Sequence, residues 1–66
     1  MRIIVNGEAR EVAAGSTIID LLDQLQCSRQ RVAVEVNKQL VRRAQHAEHH
    51  LQDNDQIEIV TLVGGG

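Results

Sequence analysis

The stretch Ser16-Thr17-Ile18-Ile19-Asp20-Leu21-Leu22-Asp23-Gln24-Leu25-Gln26 decides how this chain folds. Ile18, Leu21, Leu22 and Leu25 recur at i, i+3, i+4 and i+7, the spacing that lines apolar side chains along one stripe of an α-helix. Asp20, Asp23, Gln24 and Gln26 fall off that stripe. Ser16 or Thr17 supplies an N-cap oxygen, and Asp20, three residues after Thr17, makes a capping-box variant with a shorter acid. Asp20 and Asp23 also put negative charge toward the helix N-terminus, where it is favourable. The helix is expected to end near Gln26–Ser28.

Strand patterns lie on both sides. Arg2-Ile3-Ile4-Val5 is β-rich and runs into Asn6-Gly7, a strong hairpin signal, with Glu8 to Val12 as the returning strand. Ala13 to Ser16 reads as a loop. Beyond the helix, Val32, Val34 and Val36 alternate with Ala33, Glu35 and Asn37, the period of a half-buried strand. Asn37-Lys38-Gln39 turns the chain into a short strand at Leu40-Val41. Arg42 to His50 is polar, with room for one helical turn. Gln52-Asp53-Asn54-Asp55 is a turn cluster, and Gln56 to Val63 is the last strand.

A single helix with a single apolar stripe covers one face of one sheet. A hairpin, a crossover helix and further strands then give an α+β fold: a mixed sheet of four to five strands under one helix, the β-grasp or ubiquitin-like layout. The expected interior is Ile3, Val5, Ile18, Leu21, Leu22, Leu25, Val34, Val36, Ile57 and Ile59. Residues 1–63 are read as one domain and residues 64–66 as a mobile glycine tail, because glycine has the most backbone entropy to lose on ordering.

Composition removes several functions. A chain of 66 residues buries only about 60% of its unfolded surface and has no walled cleft to spare for an enzyme site. There is no Phe, Tyr or Trp, so no platform exists for stacking nucleobases. The net charge of −2 leaves no footprint for a phosphate backbone, and Arg29, Arg31, Arg42 and Arg43 make only small basic spots. Cys27 is alone, which fits a reducing cytoplasm, and no apolar run is long enough for a membrane span or signal peptide.

The end of the chain, Leu62-Val63-Gly64-Gly65-Gly66, runs from an apolar strand into three glycines. Taken alone this reads as a frayed end or linker. In order along the chain, the hairpin with Asn6, the Gly15-Ser16-Thr17 helix start, Leu21-Leu22, the strand Val32 to Asn37, Val41-Arg42-Arg43, Asp53-Asn54-Asp55 and the terminal Gly65-Gly66 resemble the ThiS family, the sulfur carriers of thiamine biosynthesis. The family often has Val-Pro-Arg where this chain has Val41-Arg42-Arg43, and Asp-Gly-Asp where it has Asp53-Asn54-Asp55. The second difference is mild, because Asn tolerates the left-handed backbone.

The resemblance implies a function. A ThiF-like, E1-like adenylating enzyme uses ATP and Mg to activate the Gly66 carboxylate. A persulfide sulfur donor displaces AMP and leaves a thiocarboxylate, whose sulfur goes to a ThiG-like thiazole synthase. Gly64 and Gly65 are then the slender stem, and the chain is a protein co-substrate with no catalytic residue and no bound cofactor of its own. Two alternatives stay open. One is a carrier for another pathway, such as the small subunit of molybdopterin synthase or a protein modifier. The other is a β-grasp module for protein or RNA interaction without tail chemistry.

On the last strand Ile57 and Ile59 belong to the core side, which sends Val60 and Leu62 outward, and Ile4 faces outward on the first strand. Ile4, Val60 and Leu62 are therefore read as a partner-binding patch beside the tail. His46, His49 and His50 have helical spacing, but no Cys or carboxylate lies at metal-ligand spacing, so a solvated loop face is expected and no metal site. Cys27 reads as a small apolar residue at the helix end. Glu8 and Glu11 lack the surrounding pocket that acid–base chemistry needs.

Overall fold

Two asparagines start the hairpin turns that set the sheet. The computed structural model describes residues 1–62. Strands β1 (Arg2–Val5) and β2 (Glu8–Glu11) flank Asn6 and Gly7, whose φ values of 49° and 85° are both positive, as a type I′ turn requires. Strands β3 (Val32–Val36) and β4 (Gln39–Val41) flank Asn37 and Lys38, again both at positive φ. Gln39 is thus already in β4, and the turn is one residue shorter than the sequence suggests.

Strand β5 (Gln56–Thr61) is central in a five-stranded sheet of order β2-β1-β5-β3-β4. It runs parallel to β1 and antiparallel to β3. Helix α1 (Ile18–Gln24) crosses one face. The fold is the expected mixed sheet with one helix.

Thr17, not Ser16, is the N-cap. Its Oγ1 accepts from Asp20 N at 3.2 Å, and its own N–H donates to Asp20 Oδ2 at 2.9 Å, so the capping box is complete in both directions. The helix stops at Gln24, earlier than expected. Gln26 turns left-handed at φ 58°, its N–H donates to Asp23 O, and the Cys27 N–H donates to Leu22 O. This pattern is a Schellman cap with Gln where Gly is usual.

The core holds Ile3, Val5, Ile18, Leu21, Leu22, Val34, Val36 and Ile57, all expected inside. Leu25 and Ile59 were expected there too but are only half-buried. The reason is length: seven residues span about 10 Å, so α1 ends before it covers the Ile59 end of the sheet.

Val12, Val32, Val41, Leu51 and His46 complete the interior. The buried His46 corrects the expectation of a solvated loop face, and Leu51 follows directly after that segment. A 3₁₀ turn at Arg43–Gln45 folds the segment back toward α1. Ile18 N–H then donates to His49 O at 3.1 Å and Leu51 N–H to Ser16 O at 2.8 Å, which pins the segment to the helix start. The proposed extent of β5 to Val63 and the tail at 64–66 lie outside the described residues; among these, β5 ends at Thr61.

Candidate functional site

The site is built on the sheet face opposite α1. Paired residues share a face, so the register places Glu58 and Val60 of β5, Ala33 and Glu35 of β3 and Leu40 of β4 together on the outside. Leu40, Glu35 and Glu58 make one row, Ala33 and Val60 the next. Leu62 follows, held where its N–H donates to Arg31 O at 2.7 Å. Leu40, Val60 and Leu62 are the exposed large aliphatics among the described residues, at 67%, 58% and 51%. Ala33 is too small to cover Val60, which leaves the apolar area open.

Val60 and Leu62 are therefore where the sequence placed them, and Ile4 is not with them. Ile4 is level with Gln56 in the parallel β1–β5 register and is half-buried. At about 3.3 Å per residue it lies about 13 Å along the sheet from Val60. Leu40 shares the outer face from two strands away, in the row of Glu35 and Glu58. Alternation in so short a strand marked Leu40 only weakly; its outward face follows from the pairing Glu35↔Leu40.

Asn6 and Asn37 fix the strand that carries this face. Asn6 Oδ1 accepts from Ile59 N at 2.8 Å, and its Nδ2–H donates to Ile59 O at 3.3 Å. Asn37 Oδ1 accepts from Gln56 N at 3.0 Å, and its Nδ2–H donates to Asp55 Oδ1 at 3.0 Å. Both side chains act as extra rungs of the ladder. They hold β5 at its start and near its end, close to where the chain leaves toward the glycines.

The remaining candidates have other partners. The buried His46 ring, 1% exposed, donates from Nε2 to Val41 O at 2.9 Å. His50 Nδ1 lies 3.0 Å from Gly15 O, and His49 supplies a backbone carbonyl to the helix start. The His46 and His50 rings thus meet backbone carbonyls, and His46 is not on a solvated face. Cys27 is a free, half-buried thiol in an open groove with Leu25, Ile59, Val5, Glu8 and Arg10. Glu11, on the same groove, sits 3.7 Å from the Met1 ammonium. No helix among the described residues is long and apolar enough to cross a membrane.

Together the fold and the face define a class: a β-grasp domain with exposed aliphatic side chains on its outer sheet surface. The sequence profile described as the ThiS family matches residues 3–66, and the chain belongs to that family. It is 41% identical over 66 residues to the sulfur carrier protein ThiS of Escherichia coli (strain K12), covering 100% of both chains. It is 44% identical over 66 residues to a thiazole synthase of Magnetococcus marinus, covering all of this chain but only 20% of that protein. The crystal structure of the thiamine biosynthesis protein (ThiS) from Geobacter metallireducens superposes with a TM-score of 0.84 at 29% identity, over 100% of both chains.

Proposed function

We propose that this chain carries sulfur on its terminal glycine. Its family and its likeness to the Escherichia coli protein make it a sulfur carrier of thiamine biosynthesis. The finer chemistry assigned to it is as follows. An E1-like enzyme with ATP and Mg joins the Gly66 carboxylate to AMP and releases pyrophosphate. A persulfide sulfur attacks the acyl carbon and expels AMP, and thiol cleavage of the remaining S–S bond leaves the thiocarboxylate. Thiazole synthase takes that sulfur. The chain contributes no acid, base or nucleophile besides the carboxylate and is a protein co-substrate, working in the cytoplasm where Cys27 stays reduced.

The observation that carries this reading is the family match, which runs through the glycines to residue 66. The exposed Val60 and Leu62 lie within six residues of Gly66 in sequence, which suits a partner that must also reach the terminal carboxylate. A carrier for another pathway would not explain the match to a thiazole synthase sequence.

The test is removal of Gly66 and, separately, addition of one residue after it. Deletion draws the carboxylate back by up to about 3.5 Å, whereas reacting atoms must approach to about 3–3.5 Å. Both variants should fold, fail in ATP–pyrophosphate exchange with the adenylating enzyme, and gain no sulfur by intact mass. Loading of both variants as well as the parent would remove Gly66 as the activated residue.

A further inference from the structure

The loop between α1 and β3 has no apolar anchor: Ser28, Arg29, Gln30 and Arg31 are all exposed. Hydrogen bonds fix its place instead. Arg29 forks onto Asp23 of α1. Ser28 Oγ accepts from Gln30 N at 3.1 Å and from Arg31 N at 3.2 Å. Arg43 Nη1, in the 3₁₀ turn, donates to Gln30 O at 2.5 Å. The peptide unit joining Gln30 to Arg31 is thus held on both sides, its carbonyl by Arg43 and its N–H by Ser28. The next carbonyl, Arg31 O, accepts from Leu62 N at 2.7 Å. Arg31 and Leu62 are one step beyond Val32 and Thr61 in the antiparallel β3–β5 register. A hydrogen-bonded antiparallel pair exchanges two bonds. Here one bond is made, and the other is not, because Ser28 Oγ takes the Arg31 N–H. The opposite end of the same ladder stops in the same way, with Asn37 N donating to Gln56 O and Gln56 N turned to Asn37 Oδ1.

We propose that Ser28 and Arg43 are positioning residues for the carrier's carboxylate: they stop the β3–β5 ladder at Leu62 and so fix the point from which residues 63–66 must reach. The purpose of that reach rests on the carrier reading; the clamp itself rests on the hydrogen bonds. Because a peptide unit is planar, gripping its carbonyl and its N–H fixes its orientation, and the Arg31 carbonyl follows from it. The Arg43 bond is charge-assisted, the stronger kind. Four residues span at most about 14 Å. Reacting atoms must approach to about 3–3.5 Å, so an exit point that wanders lowers the rate of activation even when docking is intact. Neither Ser28 nor Arg43 lies in a strand, so neither belongs to the outer sheet face that carries Val60.

The test uses the full chain as Ser28→Ala and Arg43→Met, with Thr17→Ala as a control that loses stability without touching the clamp. Ser28 and Arg43 are exposed, so their variants should fold. Amide exchange at Leu62 should speed up about fivefold in both and stay at the parent rate in Thr17→Ala. In ATP–pyrophosphate exchange with the cognate adenylating enzyme, at varied carrier concentration, kcat should fall about fivefold while KM stays within about twofold of the parent. Thr17→Ala should keep both constants. Arg43→Lys restores a cationic donor without the fork and should recover part of kcat. Unchanged exchange at Leu62, a fall in kcat no larger than that of Thr17→Ala, or a rise in KM alone would each overturn the proposal. Failure of the parent itself to support pyrophosphate exchange would instead overturn the carrier reading, and the Leu62 amide would still decide the clamp.

Discussion

Asn6 and Ile59, 53 residues apart, are joined by two hydrogen bonds through a single side-chain amide. The amide of Asn6 mimics a strand residue after β1 has ended and holds β5 straight up to the docking face. Asn6 also has φ 49°, a conformation glycine accepts readily. Asn6→Gly therefore removes the bonds without adding strain. It should lower stability by about 1 kcal/mol in urea titration and speed amide exchange at Ile59. Unaltered exchange at Ile59 would show that the side chain does not hold the strand.

Lys38 sits at φ 70°, in the second position of the β3–β4 turn. Left-handed backbone costs a β-carbon-bearing residue about 1–2 kcal/mol, offset by the greater entropy glycine loses on folding. Lys38→Gly creates an Asn-Gly turn and should raise stability by roughly 0.5–1 kcal/mol. Gln26→Gly at the helix C-cap should act in the same direction for the same reason. A loss of stability in both, by thermal melting, would contradict the turn geometry.

Thr17 and Asp20 cap α1 reciprocally. Thr17→Ala should destabilise by about 1 kcal/mol. A double-mutant cycle with Asp20→Ala should show coupling, since each residue holds the other's backbone N–H. Strict additivity in chemical denaturation would mean that the box is not formed in solution.

Asp23 and Arg29 form a two-bond ion pair, with Arg29 Nη2 2.6 Å and Nε 3.0 Å from the carboxylate. The hydrogen bonds from Arg29 hold the Asp23 carboxyl below its ordinary value of 3.8. A lowered folded value stabilises the protein above the unfolded one, and this benefit is lost as pH falls through the folded value. The pair is exposed, so the effect is small and screened. Parent and Asp23→Asn should differ slightly in melting temperature at neutral pH and converge under acid below the ordinary carboxylate value. A gap that widens toward low pH would have the wrong sign.

Leu62 is half-exposed at the end of the described chain. Leu62→Asp should leave circular dichroism unchanged and weaken binding to the adenylating enzyme by more than 2 kcal/mol, about 30-fold, because it puts an unpaired carboxylate into a desolvated contact. Unchanged affinity in calorimetry would exclude Leu62 from that interface.

Much of this protein was decided along the chain itself. Ile18, Leu21 and Leu22 have only one periodicity available, so the helix and its buried side follow from spacing. Asn6-Gly7 permits only a narrow turn, so the first hairpin follows as well. The glycine tail and its kinship could be read from residue order. What lay beyond local pattern was pairing. His46 and Leu51 sit in a stretch with no period of its own, and they are buried because 42–51 folds back to bond the helix start. Ile4 lies away from Val60 and Leu62 because strand register, set by long-range hydrogen bonds, decides which outward residues become neighbours. Glu35 and Glu58 are 23 residues apart in sequence and directly opposed in the sheet. Side-chain alternation gives each strand its two faces; only the tertiary register brings those faces together, because it is fixed by contacts between distant segments.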